Sequence, residues 1–135
     1  MSGGVSGMAR VTGIGGFFFP ARDPQALARW YTVHFGIDPV PGDYVTPPWR
    51  QEAGDTVFAP FKGEPGGSDP AESRWILNLR VDDLDGIVAA LRAAGTMVEV
   101  DPEIYPNGRF ARLADPEGNP LELWQPAAPG DAPET

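Results

Sequence analysis

Apolar positions along this chain switch between a strand rhythm and a helix rhythm, and they do so twice in the same order. Residues 11–19 form a short, β-rich apolar run that predicts a strand. Asp23 and Pro24 then supply an N-cap and a first-turn proline. Leu27, Trp30, Tyr31 and Phe35 recur at helical spacing, and Gly36 provides the stop. Residues 40–46, 49–53 and 56–61 read as three short strands, the last two separated by a Gly54-Asp55 turn.

The second half repeats the order. Residues 75–81 predict a strand, and Asp83 opens a helix carrying Ile87, Val88 and Leu91 that Gly95 ends. Residues 97–100, 109–113 and 120–124 are three further strand candidates. The last two flank Asp115-Pro116-Glu117-Gly118-Asn119, strong turn chemistry. An offset of 60 carries Asp23 to Asp83 and Leu27 to Ile87, and an offset of 64 carries Asp55 to Asn119 and Val57 to Leu121. The repeat lies in pattern rather than in residue identity. The expected fold is α+β: two βαβββ modules forming a cupped mixed sheet with the helices on its outer face.

Composition narrows the function classes. The chain has 135 residues, enough for one domain with a core. Its net charge of −9 argues against nucleic acid and anionic membranes as partners. No cysteine is present, which excludes thiolate metal sites and favours a cytoplasmic location. No apolar run reaches the length of a membrane span, and the N-terminus lacks the order of a signal peptide. Residues 1–9 and 127–135 are expected to be disordered ends. The expected domain covers residues 10–126: a module at 10–62, a Gly/Pro-rich linker at 63–73, and a module at 74–126.

Three stretches resemble the vicinal oxygen chelate superfamily, which includes glyoxalase I, extradiol dioxygenases and bleomycin-resistance proteins. The first is Phe17-Phe18-Phe19 leading to Asp23-Pro24, Trp30-Tyr31 and Phe35-Gly36-Ile37. The second is Val81-Asp82-Asp83-Leu84 with Leu91 and Gly95. The third and most specific runs from Asp115 through Gly118-Asn119-Pro120 to Leu123. The resemblance covers residues 10–126 and implies a small-molecule pocket and a homodimer.

Alternation sorts each strand into two faces. Leu77, Leu79 and Val81 should meet the helices, leaving Ile76, Asn78 and Arg80 for the cup. Leu121 and Leu123 should likewise leave Glu122 and Trp124 for the cup. The offsets add Gly16 with Phe18, and Phe58 with Thr56. Gly16, Phe58, Ile76 and Glu122 are then equivalent positions at the cup centre. In metal-dependent members such positions resemble the places that supply His, Glu or Gln ligands. Here only Glu122 can bind a cation, so no metal and no other cofactor is expected. His34, the only histidine, falls near the end of the first helix, away from the cup.

The candidate ligand-binding residues are thus Gly16, Phe18, Thr56, Phe58, Ile76, Asn78, Arg112, Glu122 and Trp124, with Glu122 also the candidate acid or base. Glu122 has a structural reading as well: pairing with Arg112, Arg109 or Arg80. Residues 105–109 read as a turn or as a rim of the cup. Apolar walls with a few polar groups suit a small molecule. Binding or sequestering a small aromatic or apolar molecule is the first functional expectation. A metal-free enzyme using Glu122 is the alternative, and a metal-dependent lyase or dioxygenase a more distant one.

Overall fold

A computed structural model describes residues 9–63 and 75–128. The expected ends at 1–8 and 129–135, and nearly all of the expected linker, lie outside the described residues. The elements in chain order are helix α1 (Pro24–Phe35), strand β1 (Leu77–Arg80), helix α2 (Leu84–Ala93), and strands β2 (Glu99–Val100), β3 (Gly108–Ala114) and β4 (Pro120–Pro126).

Both helices begin where their caps predict. The Asp23 carboxylate accepts from Ala26 N at 3.1 Å, and that of Asp83 from Gly86 N at 3.0 Å. Each bond satisfies a donor that the first helical turn leaves open. Gly36 closes α1 with φ +70°, a left-handed conformation that glycine adopts without a Cβ penalty. The start of α2 is also fastened to the sheet, since Leu84 N donates to Gln125 Oε1 at 2.7 Å.

The second half makes one mixed sheet in the order β1-β4-β3-β2. β1 runs parallel to β4, and the pairs β4–β3 and β3–β2 are antiparallel. Its helix-facing side carries Ala111, Leu113, Leu121 and Leu123, which join Leu27 and Tyr31 of α1 and Leu84, Val88 and Leu91 of α2 in one core. Leu84, Leu91, Leu121 and Leu123 are fully buried, each worth roughly 1.5–3 kcal/mol of transfer free energy.

The first half keeps its helix but departs from the expected strands. Among the described residues, none of 11–19, 40–46, 49–53 or 56–61 forms a strand, so a second βαβββ module is not formed. Part of the reason is local. Pro39, Pro41, Pro47, Pro48 and Pro60 have no N–H to give a ladder. Asp43 Oδ1 accepts from Val45 N at 2.8 Å and from Thr46 N at 2.6 Å, turning the chain in the middle of one expected strand. Residues 11–19 contain three glycines, Gly13, Gly15 and Gly16, which weaken a strand. The other part is the lack of a partner: the sheet ends at β1 and β2, and neither edge takes these segments.

Besides the shared core, the closing turn fastens the first half to the second. Tyr31 Oη donates to Asp115 Oδ2 at 2.7 Å inside the core. Asp115 also accepts from Glu117 N and Asn119 N through Oδ1, and from Asn119 Nδ2 through Oδ2. The Glu117 carboxylate accepts from Arg22 N at 2.7 Å and Asp23 N at 2.9 Å, just ahead of α1. Burial, and then the bond to Asp115, push the Tyr31 phenol far above its ordinary pKa.

Candidate functional site

The sheet has a helix-covered face and an open face. On the open face the register lines side chains into two rows. The first crosses the sheet as Asn78, Glu122, Arg112 and Glu99, each directly opposite the next. Asn78 Nδ2 donates to Glu122 Oε1 at 2.8 Å, and Arg112 Nε donates to Glu122 Oε2 at 3.4 Å. The Glu122 side chain is 23% exposed and that of Arg112 is 75% exposed. One carboxylate is thus held between two donors, while the Arg112 guanidinium reaches toward solvent.

The second row runs Arg80, Trp124, Phe110 in the same registers. The rings of Phe110 and Trp124 lie nearly parallel, 5° apart in plane with centroids 6.4 Å apart. Tyr105 meets Phe110 edge-on at 5.8 Å. The turn before β3 holds this group in place. Trp124 Nε1 donates to Asn107 O at 2.8 Å, and Tyr105 and Gly108 exchange two backbone bonds of 3.0 Å. Gly108 has φ +134°, and a Cβ there would come within 2.1 Å of the Gln125 carbonyl oxygen. Only glycine allows β3 and β4 to meet so closely beside the indole. Tyr105 Oη donates to Asp101 Oδ2 at 2.8 Å. The Asp101 carboxyl is held below its usual range, first by the backbone N–H of Glu103 and then by that hydroxyl. Residues 105–108 form a turn that lies beside the aromatic row.

Of the nine sequence candidates, the structure gathers Asn78, Arg112, Glu122 and Trp124 on the open face. Ile76 precedes β1 and is 55% exposed. Phe18 and Phe58 are 91% and 83% exposed, Gly16 and Thr56 are also exposed, and no strand carries these four onto the sheet. The reason is the one given for the first-half strands. His34 lies on α1, half-buried, with its ring centroid 5.0 Å from that of Trp30. Phe110 is not among the sequence candidates, and Tyr105 enters them only as part of the 105–109 turn or rim. The signal for Phe110 was present, because alternation within residues 109–113 puts it on the face of Arg112.

The three possible partners of Glu122 are also resolved. Arg112 takes the carboxylate. Arg109 instead makes a two-pronged pair with Asp85 at 3.0 and 3.1 Å. Arg80 donates to the main-chain carbonyls of Glu52, at 2.8 Å, and Asp55.

The superfamily that the sequence resembles is associated with a metal in the cup. The residues of this face do not fit one. Glu122 has both oxygens engaged by nitrogen donors. Among the described residues, no group of three or more His, Cys, Asp or Glu side chains is placed to hold a metal ion.

Comparison with known proteins follows this geometry. The profile of the glyoxalase-like domain family matches residues 16–124. A protein of Mycobacterium bovis and Mycobacterium tuberculosis, CFP32, named as a glyoxylase, is 35% identical over 77 residues, which is 56% of this chain. The match spans 27% of that relative's own length. Among solved structures, TnmS3 from Streptomyces sp. CB03234, an antibiotic-binding protein, is 26% identical with a TM-score of 0.58. That likeness covers 88% of this chain and 99% of the other.

Proposed function

Because the chain belongs to the glyoxalase-like domain family of the vicinal oxygen chelate superfamily, we propose that it binds a planar aromatic molecule of low polarity on the open face of its sheet, without a metal. The observation that supports this most is the second row. Trp124 and Phe110 lie parallel, Tyr105 braces them, and a hydrogen-bonding row runs alongside. Stacked rings supply area and orientation, and the adjacent Glu122, Asn78 and Arg112 supply polar contacts at a ligand's edge. The likeness to an antibiotic-binding protein adds to this reading. The proposed site also takes in Gly16, Phe18, Thr56, Phe58 and Ile76, on the strength of the repeat offsets and strand alternation. A cytoplasmic location goes with the same reading, given a chain without cysteine.

The test is tryptophan quenching by N-phenylnaphthylamine, an uncharged naphthalene. Saturable quenching is expected, weakened about tenfold in Trp124→Ala. Absence of saturation in the parent chain would sink the reading. Elemental analysis of purified protein is expected to find no stoichiometric Zn, Ni, Fe or Mn, and one tightly held metal per chain would overturn the metal-free part. The alternative, a metal-free enzyme with Glu122 as acid or base, is favoured by the partly buried carboxylate held between Asn78 and Arg112. It requires turnover of a bound compound that disappears in Glu122→Gln.

A homodimer belongs to this reading. Val40, Val45, Val57 and Phe58 are 73–90% exposed, and both outer strands of the sheet have a free edge among the described residues. A second copy offers strands to segments that have none. Gel filtration with light scattering is expected to give twice the chain mass, and a stable monomer at micromolar concentration would remove the claim.

A further inference from the structure

Arg80 sits at the end of the aromatic row, directly opposite Trp124 on the neighbouring strand. Its guanidinium is a second cation on this face beside Arg112, yet it is already committed. Nη2 donates to the Glu52 carbonyl at 2.8 Å and Nη1 to the Asp55 carbonyl. These two oxygens belong to a segment with no place in the sheet. Between them lies Gly54, where a Cβ would stand 2.6 Å from Arg80 Cζ and 2.8 Å from Nη2. The backbone at Gly54 therefore lies flat against the guanidinium, and a side chain there would have to displace it.

We propose that Arg80 is a positioning residue for the ligand site. It clamps the 52–55 strap beside the Trp124 row, and so fixes the backbone that borders that row. The proposal rests on the ligand reading above for its functional consequence, but not for the clamp itself. A strand ladder would hold such a segment through its own N–H and C=O groups. Here one planar side chain does so, with two charge-assisted bonds to carbonyls. A lysine, a point charge with no fork, cannot reproduce the paired geometry.

The clamp is tested without ligand by backbone nitrogen relaxation on the full chain, because its two bonds hold carbonyls rather than amides. Arg80→Met and Gly54→Val approach it from opposite sides, and Gly54 lies outside every strand and helix, so the second variant leaves the sheet intact. In both, order parameters across residues 52–55 should fall from about 0.85 toward 0.6 or below, while those of the β3–β4 pair stay high. Unchanged order parameters at 52–55 in Gly54→Val, or in an Arg80→Met chain with an intact sheet, overturn the clamp. The positioning role is read from N-phenylnaphthylamine affinity, which should fall about tenfold in Gly54→Val and in Arg80→Lys. A loosened strap with parent affinity overturns the positioning role. A parent chain that binds no probe sinks the ligand reading instead, and the relaxation result still decides the clamp.

Discussion

The two halves of this chain carry the same pattern of apolar and polar positions, yet they meet different fates. Residues 75–128 form a four-stranded sheet packed on a helix. Residues 9–63 form a helix and, among the described residues, no strand at all. The helices are equivalent: each has an aspartate cap and a glycine beyond its end. A helix satisfies its backbone within itself, so its local signals are enough. A strand is completed by another strand, and the second half supplies its own through the Asp115–Asn119 hairpin. The first half has prolines and an Asx turn where that hairpin's partners would be, and it borrows its attachment from the second half instead.

The sharpest way to break this contrast is to truncate equivalent positions on the two sides. Leu121→Ala removes a fully buried side chain and is expected to cost about 2–5 kcal/mol in a denaturant titration. Val57→Ala, its partner under the 64-residue offset, is 73% exposed and should change stability by under about 0.5 kcal/mol. A large loss at Val57 would mean that the first half buries it against a second copy, and the loss would then depend on protein concentration.

Gly108→Ala tests the hairpin that sets the halves apart. The added Cβ meets the Gln125 carbonyl at 2.1 Å, so a loss of about 2–3 kcal/mol is expected, with a change in the near-ultraviolet signal of Trp124.

The link between the halves can be cut without touching the sheet. Tyr31→Phe removes the phenol that donates to buried Asp115 and should cost about 1–2 kcal/mol. Its pH signature is distinct. The folded state raises the Tyr31 pKa, so the protonated phenol is the stabilised form. That contribution is fully present below the unfolded value of about 10. It fades as pH climbs above that value toward the folded pKa. The parent chain should therefore lose stability more steeply than Tyr31→Phe in alkaline titrations, and equal slopes would refute the link.

Among the contacts that tie the two halves together, the smallest effect is expected at Glu117→Gln, which keeps one acceptor for the amides of Arg22 and Asp23 but removes the charge. A loss of about 0.5–1 kcal/mol, with faster exchange at the Arg22 and Asp23 amides just ahead of α1, is the expected readout.

Much of this molecule is legible in its sequence. The caps at Asp23 and Asp83, the ends at Gly36 and Gly95, the closing turn and the two faces of β1 and β4 all follow from local spacing and period. Glu122 and Trp124 can be assigned to the open face because side chains along a regular strand alternate between its two faces. Phe110 was accessible by the same rule. Tertiary structure decided the rest. It chose Arg112 over Arg109 and Arg80 as the partner of Glu122, turned Asp115 from a turn residue into the buried acceptor of Tyr31, and committed Arg80 to the carbonyls of Glu52 and Asp55. It also withheld partners from the expected strands of the first half. The physical division is between bonds that close within a few residues and bonds that need a partner tens of residues away. Spacing along the chain specifies the first kind. The second depends on which distant groups the folded backbone brings within 3 Å, and for that only the arrangement in space carries the information.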